Sequence, residues 1–172
     1  MKVARTVFPM LCALASAAGA QPQAATPAPT AAPPPLRAYG DPVTLAQARR
    51  IVEEAEAAAK GRNWTMAFAI VDPSGALVLF AKMDGTQNGS VDVAIAKART
   101  SALFRRPTRA FSDSVTAGRT QVLSLPNVVA IEGGVPIVVR GRVIGAIGVS
   151  GATSEQDGEV AAAALARVFA GQ

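Results

Sequence analysis

An α/β domain of the α+β kind, a central antiparallel β-sheet flanked by helices, is the fold that this sequence of 172 residues predicts. Three observations carry the prediction. Trp64, Met66, Phe68 and Ile70 alternate with Thr65, Ala67, Ala69 and Val71 at the period of a strand. The following Asp72-Pro73-Ser74-Gly75 has Pro and Gly where a tight turn needs them, returning Ala76 to Lys82 antiparallel. A second hairpin reads between Val135 and Ser150, and apolar positions at helical spacing surround both.

Taken in order, Thr44 and Gln47 stand three apart as a capping box, and Leu45, Ala48, Ile51, Val52, Ala55 and Ala59 line one face of a helix ending near Gly61. Arg49 with Glu53, Arg50 with Glu54 and Glu56 with Lys60 stand four apart on its other faces. After the first hairpin the loop MDGTQNG leads to Ser90, which is expected to cap a helix through Val91, Ala94, Ile95, Ala98, Ala102 and Leu103 until Pro107 interrupts it. A shorter helix should run to Ala117, closed by Gly118. Arg119 to Asn127 reads as irregular or partly extended, and about three strands are expected between the short helix and the last one. Of these, Pro136 to Arg140 and Val143 to Val149 form the hairpin, with Gly141 in its turn. Ser154 is the expected cap of the final helix, whose face is Val160, Ala161, Ala164, Leu165, Val168 and Phe169.

The segments before Asp41 are of another kind. Lys2 and Arg5 precede an apolar run from Val7 to Ala15 and a small-residue site at Ala18-Gly19-Ala20, so residues 1–20 read as a secretory signal peptide and the chain as periplasmic or secreted. Residues 21–40 begin with QPQAATPAPTAAPPPL, a Pro/Ala-rich linker too poor in buriable surface to fold, which leaves 41–172 as one domain. No stretch reaches the roughly 20 apolar residues of a membrane helix, so no membrane span is expected.

Composition excludes several chemistries. The chain has no histidine, and its one cysteine, Cys12, falls in the leader. Zinc sites of the Cys/His kind, cysteine nucleophiles, disulfides and Ser-His-Asp triads are therefore ruled out of the mature chain. The formal net charge is +5, of which Lys2 and Arg5 supply two. Lys97, Arg99, Arg105, Arg106, Arg109 and Arg119 form a cationic stretch broken only by Asp113, either a solvated basic face or an attractor of carboxylates and phosphates. Nucleic acid is not an expected partner of an exported chain with so few aromatics to stack on bases.

The glycines of IEGGVPIVVRGRVIGAIGVSG do not match a dinucleotide fingerprint, which must open a helix, and no phosphate-binding Lys-Ser/Thr follows them. Bare positions on a strand mean close approach by another backbone or by a flat ligand. Glu132, beside Gly133-Gly134, is the single carboxylate set at a candidate pocket edge. It serves either as an acid–base group acting on a small carboxylate of the 2-hydroxy acid type, with an arginine holding that substrate, or as a turn carboxylate paired with an arginine such as Arg119. Asp157 reads as dipole support for the last helix. Thr116 and Thr120 border the same region without an assignable role.

KARTSALFRRPT, then GRT, then LPNVVAIEGGVPIVVRGRVIGAIGVSG, then Asp157, taken together and in this order, closely resemble the GlcG/HbpS-like family of haem-binding and haem-degrading proteins, related to the C-terminal domain of PduO-type corrinoid proteins. The resemblance spans Val43 to Ala170. It implies a profilin-like α/β domain that assembles into homo-oligomers and takes haem as a small-molecule ligand and cofactor. On that reading Lys97, Arg99, Arg105 and Arg106 meet the propionates. Gly133, Gly134 and the hairpin form a wall, and Met83 or Thr100 approaches the iron, with Met66 and Tyr39 as further donors. Met66 follows the strand alternation, which reads as core. Thr100 reads alternatively as a helix hydroxyl bonded to its own backbone. A third reading is a structural oligomer without a ligand, built on alanine-rich helices that pack closely.

Overall fold

The computed structural model describes residues 36–170. The expected signal peptide, 1–20, and most of the 21–40 linker lie outside the described residues. Helix α1 (Leu45–Lys60) is followed by strands β1 (Ala67–Val71) and β2 (Leu77–Lys82), then helices α2 (Ser90–Phe104) and α3 (Arg109–Thr116) and a 3₁₀ turn over Thr120–Ser124. Strands β3 (Gly134–Val139) and β4 (Arg142–Ser150) and helix α4 (Ser154–Val168) complete it. The four strands form one antiparallel sheet in the order β2-β1-β4-β3.

The sheet is a boundary between two unequal layers. Phe68 and Ile70 of β1, with Ile137, Ile147 and Val149, face α1 and α4 and pack with Ile51, Val52, Val160 and Ala161. The alternate positions Ala67, Ala69 and Val71, with Ala146, face α2 and meet Ala94, Ala98 and Ala102. Large side chains thus fill one layer and alanines the other. All five residues of β1 are buried, as expected of a strand paired on both edges and covered on both faces.

The hairpin glycines are seats for this close layer. A Cβ on Gly148 would overlap the carbonyl oxygen of Ala94 and lie 2.6 Å from the amide nitrogen of Ala98, and one on Gly134 would overlap the Lys97 carbonyl. One on Gly145 would overlap the Val71 carbonyl of the neighbouring strand. Of the two partners the sequence allows for bare strand positions, the structure supplies backbone. Arg140 and Gly141 turn the β3–β4 hairpin with φ of 48° and 75°, the paired left-handed geometry that matches strand twist.

Most element boundaries agree with the periodicity, and the exceptions have physical reasons. The Thr44–Gln47 capping box is reciprocal, at 3.2 and 2.9 Å. The last helix is capped by Thr153 instead of Ser154, in a second capping box with Gln156. Ser90 does not cap α2: it is its first residue, fully buried, bonded to Ser150 of β4 at 3.1 Å. The strand expected from Trp64 begins at Ala67, since the Trp64 N–H donates back to the Ala59 carbonyl of α1 at 3.0 Å and its ring lies under the Arg62 guanidinium. Two strands, not three, lie between α3 and α4, since residues 125–131 cross the side of α2 without pairing. The folded unit also starts before Asp41, for Ala38, Tyr39 and Gly40 run beside Val143 at the start of β4.

Candidate functional site

The motif residues meet at the corner where β3 begins. Lys97 of α2 is buried beneath it and donates from Nζ to Asp157 Oδ2 at 2.7 Å and to the Val149 carbonyl at 3.1 Å. The two charged side chains are 1% and 3% exposed. Asp157 therefore does more than support a helix dipole. Burial pushes its carboxyl above the ordinary carboxylate range, against the hydrogen bond and charge of Lys97 and the Ala152 N–H, which pull it down. Lys97, expected at the propionates, has its charge spent inside the fold.

Gly133 and Gly134 close over this pair. Gly133 has φ 127°, and a Cβ there would lie 2.8 Å from the Lys97 ammonium and 2.7 Å from the Val149 carbonyl. The Gly134 N–H donates to Thr108 Oγ1 at 2.9 Å, and the Thr108 N–H donates back to the Gly134 carbonyl at 3.0 Å. The double glycine is thus a packing corner whose bare sides face this protein's own atoms.

Glu132, the residue before the corner, has a side chain 20% exposed and 3.7 Å from Arg109, so its arginine is Arg109 and not Arg119. It rests on Gly158 of α4, where a Cβ would come within 2.5 Å of its Oε1. Arg109 also stands 3.8 Å from Asp113 and contributes to holding Glu155 below the ordinary carboxylate range, behind the Glu155 and Thr153 hydrogen bonds. With three carboxylates near it, Arg109 has little attraction left for an incoming anion.

The other expected cations diverge. Arg99 donates to the Gly75 carbonyl at 3.1 Å in the β1–β2 turn. Arg105, left-handed at the end of α2 with φ 53°, donates to the Arg37 carbonyl and lies 5.0 Å over the Tyr39 ring. Arg106 is exposed and stacks 5.5 Å over Phe111 of α3, which meets Phe104 edge to face. Arg119 is exposed beside Ser114. Among the described residues neither Arg106 nor Arg119 is in an ion pair.

Thr100 is buried and does not bond to its own helix. Its hydroxyl donates to the Asn127 carbonyl at 2.8 Å and accepts the Val129 N–H at 3.0 Å, hanging residues 119–131 across α2. That segment leaves Leu123, Leu125 and Ile131 exposed at 56%, 41% and 48%. Its 3₁₀ turn packs against α3, which follows Arg106, and Arg119 opens the segment itself. Exposed apolar side chains and two arginines that form no ion pair among the described residues thus belong to neighbouring stretches of chain, a combination of groups that suits a flat apolar ligand carrying carboxylates.

The remaining donors lie elsewhere. Met66 is fully buried in the core. Met83 follows β2, at the opposite edge of the sheet from β3, and lines a depression of about 350 Å³ with Glu56, Lys60, Lys82 and Asp84. The Tyr39 hydroxyl donates to the carbonyls of Leu103 and Ala102, at 2.9 and 3.2 Å. A larger depression of about 560 Å³, lined by Asp41, Thr44, Arg140 and Arg142 among others, contains none of the expected site residues. Sequence reasoning passed over Thr108, Leu123, Leu125 and Ile131. Thr108 carried no signal, whereas the Val- and Leu-rich run from Val122 to Ile131, apolar without helix or strand periodicity, is one.

Three comparisons with known proteins bear on the family and the fold. Residues 43–166 match the family model described as haem-degrading protein, HbpS-like. Protein GlcG of Escherichia coli K12 is 40% identical over 103 residues, 60% of this chain and 77% of GlcG. Streptomyces reticuli HbpS, in a double-mutant crystal structure, superposes with a TM-score of 0.69 at 28% identity, covering 81% of this chain and 98% of that one. A crystal structure of a PduOC:heme complex gives 0.66 at 26% identity over 73% and 94% of the two chains.

Proposed function

The chain belongs to the HbpS-like family, and from that premise we propose that it binds haem, or a similar flat anionic tetrapyrrole, on the surface formed by α3 and residues 119–131. The observation that carries the reading is the exposure of Leu123, Leu125 and Ile131 on a segment that Arg119 opens and whose 3₁₀ turn packs against α3, the helix that follows Arg106, neither arginine being in an ion pair among the described residues. A bound haem presents a broad apolar face and two carboxylates, with an iron at its centre. The side chains here suit the face and the carboxylates. They do not suit the iron, since none of the donors expected near it points to this surface. The solved PduOC complex supports haem as the ligand class.

The reading includes export of the mature chain and its assembly with further copies. Edman sequencing of the secreted protein should begin near Gln21, and light scattering should give a multiple of the single-chain mass.

Titration with hemin tests the binding directly. A saturable Soret shift near one equivalent per chain is expected, and diffuse, non-saturating adsorption would count against the reading. Leu123→Asp and Ile131→Asp should each weaken binding about tenfold, the loss of roughly 1.4 kcal/mol of apolar burial. Arg119→Glu should weaken it only about two- to fivefold, because exposed ion pairs contribute up to about 1 kcal/mol. Progressive loss of the Soret band with reductant and oxygen present would extend binding to haem breakdown.

A further inference from the structure

Resting on that reading, we propose that this chain recognises the porphyrin ring and its carboxylates and supplies no side-chain ligand to the iron, so that metal-free porphyrin binds as well as haem. Haem iron in proteins is held by imidazole, thiolate, thioether or phenolate. The chain has no histidine at all. Its cysteine, Cys12, lies in the expected leader.

The remaining donors are placed away from the apolar surface or already engaged. The Met66 sulfur is enclosed by core. Met83 packs against the α1 layer beyond β2, three strand spacings, or roughly 14 Å, from the edge where β3 starts. The Tyr39 phenol donates to two carbonyls at the end of α2 beneath Arg105. The Thr100 hydroxyl both donates and accepts within the fold and is fully buried. Recognition then rests on groups indifferent to the metal: Leu123, Leu125 and Ile131 for the ring, Arg106 and Arg119 for the carboxylates.

Parallel titrations of the protein, purified in the form the cell makes, with hemin and with protoporphyrin IX lacking a metal test this. Hemin is followed by absorbance and the free porphyrin by fluorescence. Dissociation constants within about threefold of one another are expected, and Met83→Ala and Tyr39→Phe should leave the hemin spectrum unshifted. Hemin binding more than about tenfold tighter than the free porphyrin, or a Soret shift in either variant, would overturn the inference while leaving the haem reading intact. Failure of both porphyrins to saturate would overturn the haem reading and this inference with it.

Discussion

Lys97 and Asp157 bring two opposite charges into the interior, where each is tolerable only because the other is there. Asp157→Asn leaves a buried ammonium without its counter-charge and should destabilise the fold by about 3–5 kcal/mol, read as a lowered urea midpoint. Replacing the pair together, Lys97→Met with Asp157→Leu, should recover most of that loss. Asp72 is a half-buried counterpart with a cleaner pH signature. Its partial burial works to raise its pKa, but hydrogen bonds from the Ser74 hydroxyl and the Ala76 and Ser74 amides outweigh it and hold the carboxyl below its ordinary value of 3.8. A depressed folded value stabilises the fold above 3.8, and that contribution disappears as pH falls through the folded value. The melting temperature of Asp72→Asn should therefore lie below that of the parent at pH 6 and converge with it as the solution is acidified past the lowered folded value. At this scale the sequence was least legible. Lys97 read as a surface cation because its partner lies sixty positions away, and no local pattern marks a lysine that faces inward. Glu132 was legible as a carboxylate beside an arginine, but which arginine depended on how α3 returned to the β3 corner.

Helix α2 is the element on which the site depends, since it bears Lys97 and Thr100 and lies directly on the glycines of β3 and β4. Gly148→Ala would drive a methyl into the Ala94 carbonyl. It should cost about 1–3 kcal/mol or more and lower the thermal midpoint, whereas Gly141→Ala, which meets open space at a left-handed turn position, should cost about 1 kcal/mol. Thr100→Val removes the one hydroxyl that holds the backbone of residues 127 and 129, leaving an amide and a carbonyl short of a partner for about 1–3 kcal/mol locally. Faster amide exchange at Val129 with nearly unchanged exchange in β1 is the expected result, together with weaker hemin binding. Helices and hairpins were well foretold because capping boxes, turn residues and periodicity are local, and both the Thr44 box and the Asp72 turn form as their residues dictate. The Thr153 cap was displaced by one position because Thr153 and Ser154 are chemically equivalent there. The path of 119–131 was not foretold, since it is set by a hydroxyl on a helix nearly thirty residues earlier.

For the whole molecule, the antiparallel sheet between helices followed from two hairpins and the helical stretches around them, and the order β2-β1-β4-β3 places the earlier hairpin and the later one side by side through their inner strands, β1 and β4. The family resemblance and the structure agree on that architecture. They part on chemistry at the level of individual cations, because the motif residues named as ligand contacts are mostly used to hold the fold together. The KARTSA and EGG residues thus form a joint, and the surface proposed for the ligand lies beside it. The alanine-and-glycine seam under α2 has a mechanical consequence. Backbones laminated without intervening side chains have no slack to slide or swell, so that half of the protein should act as a stiff board. Accommodation of a guest must then come from the strip slung over it, whose give is limited by the hydroxyl hook at Thr100 and the clasp at Thr108.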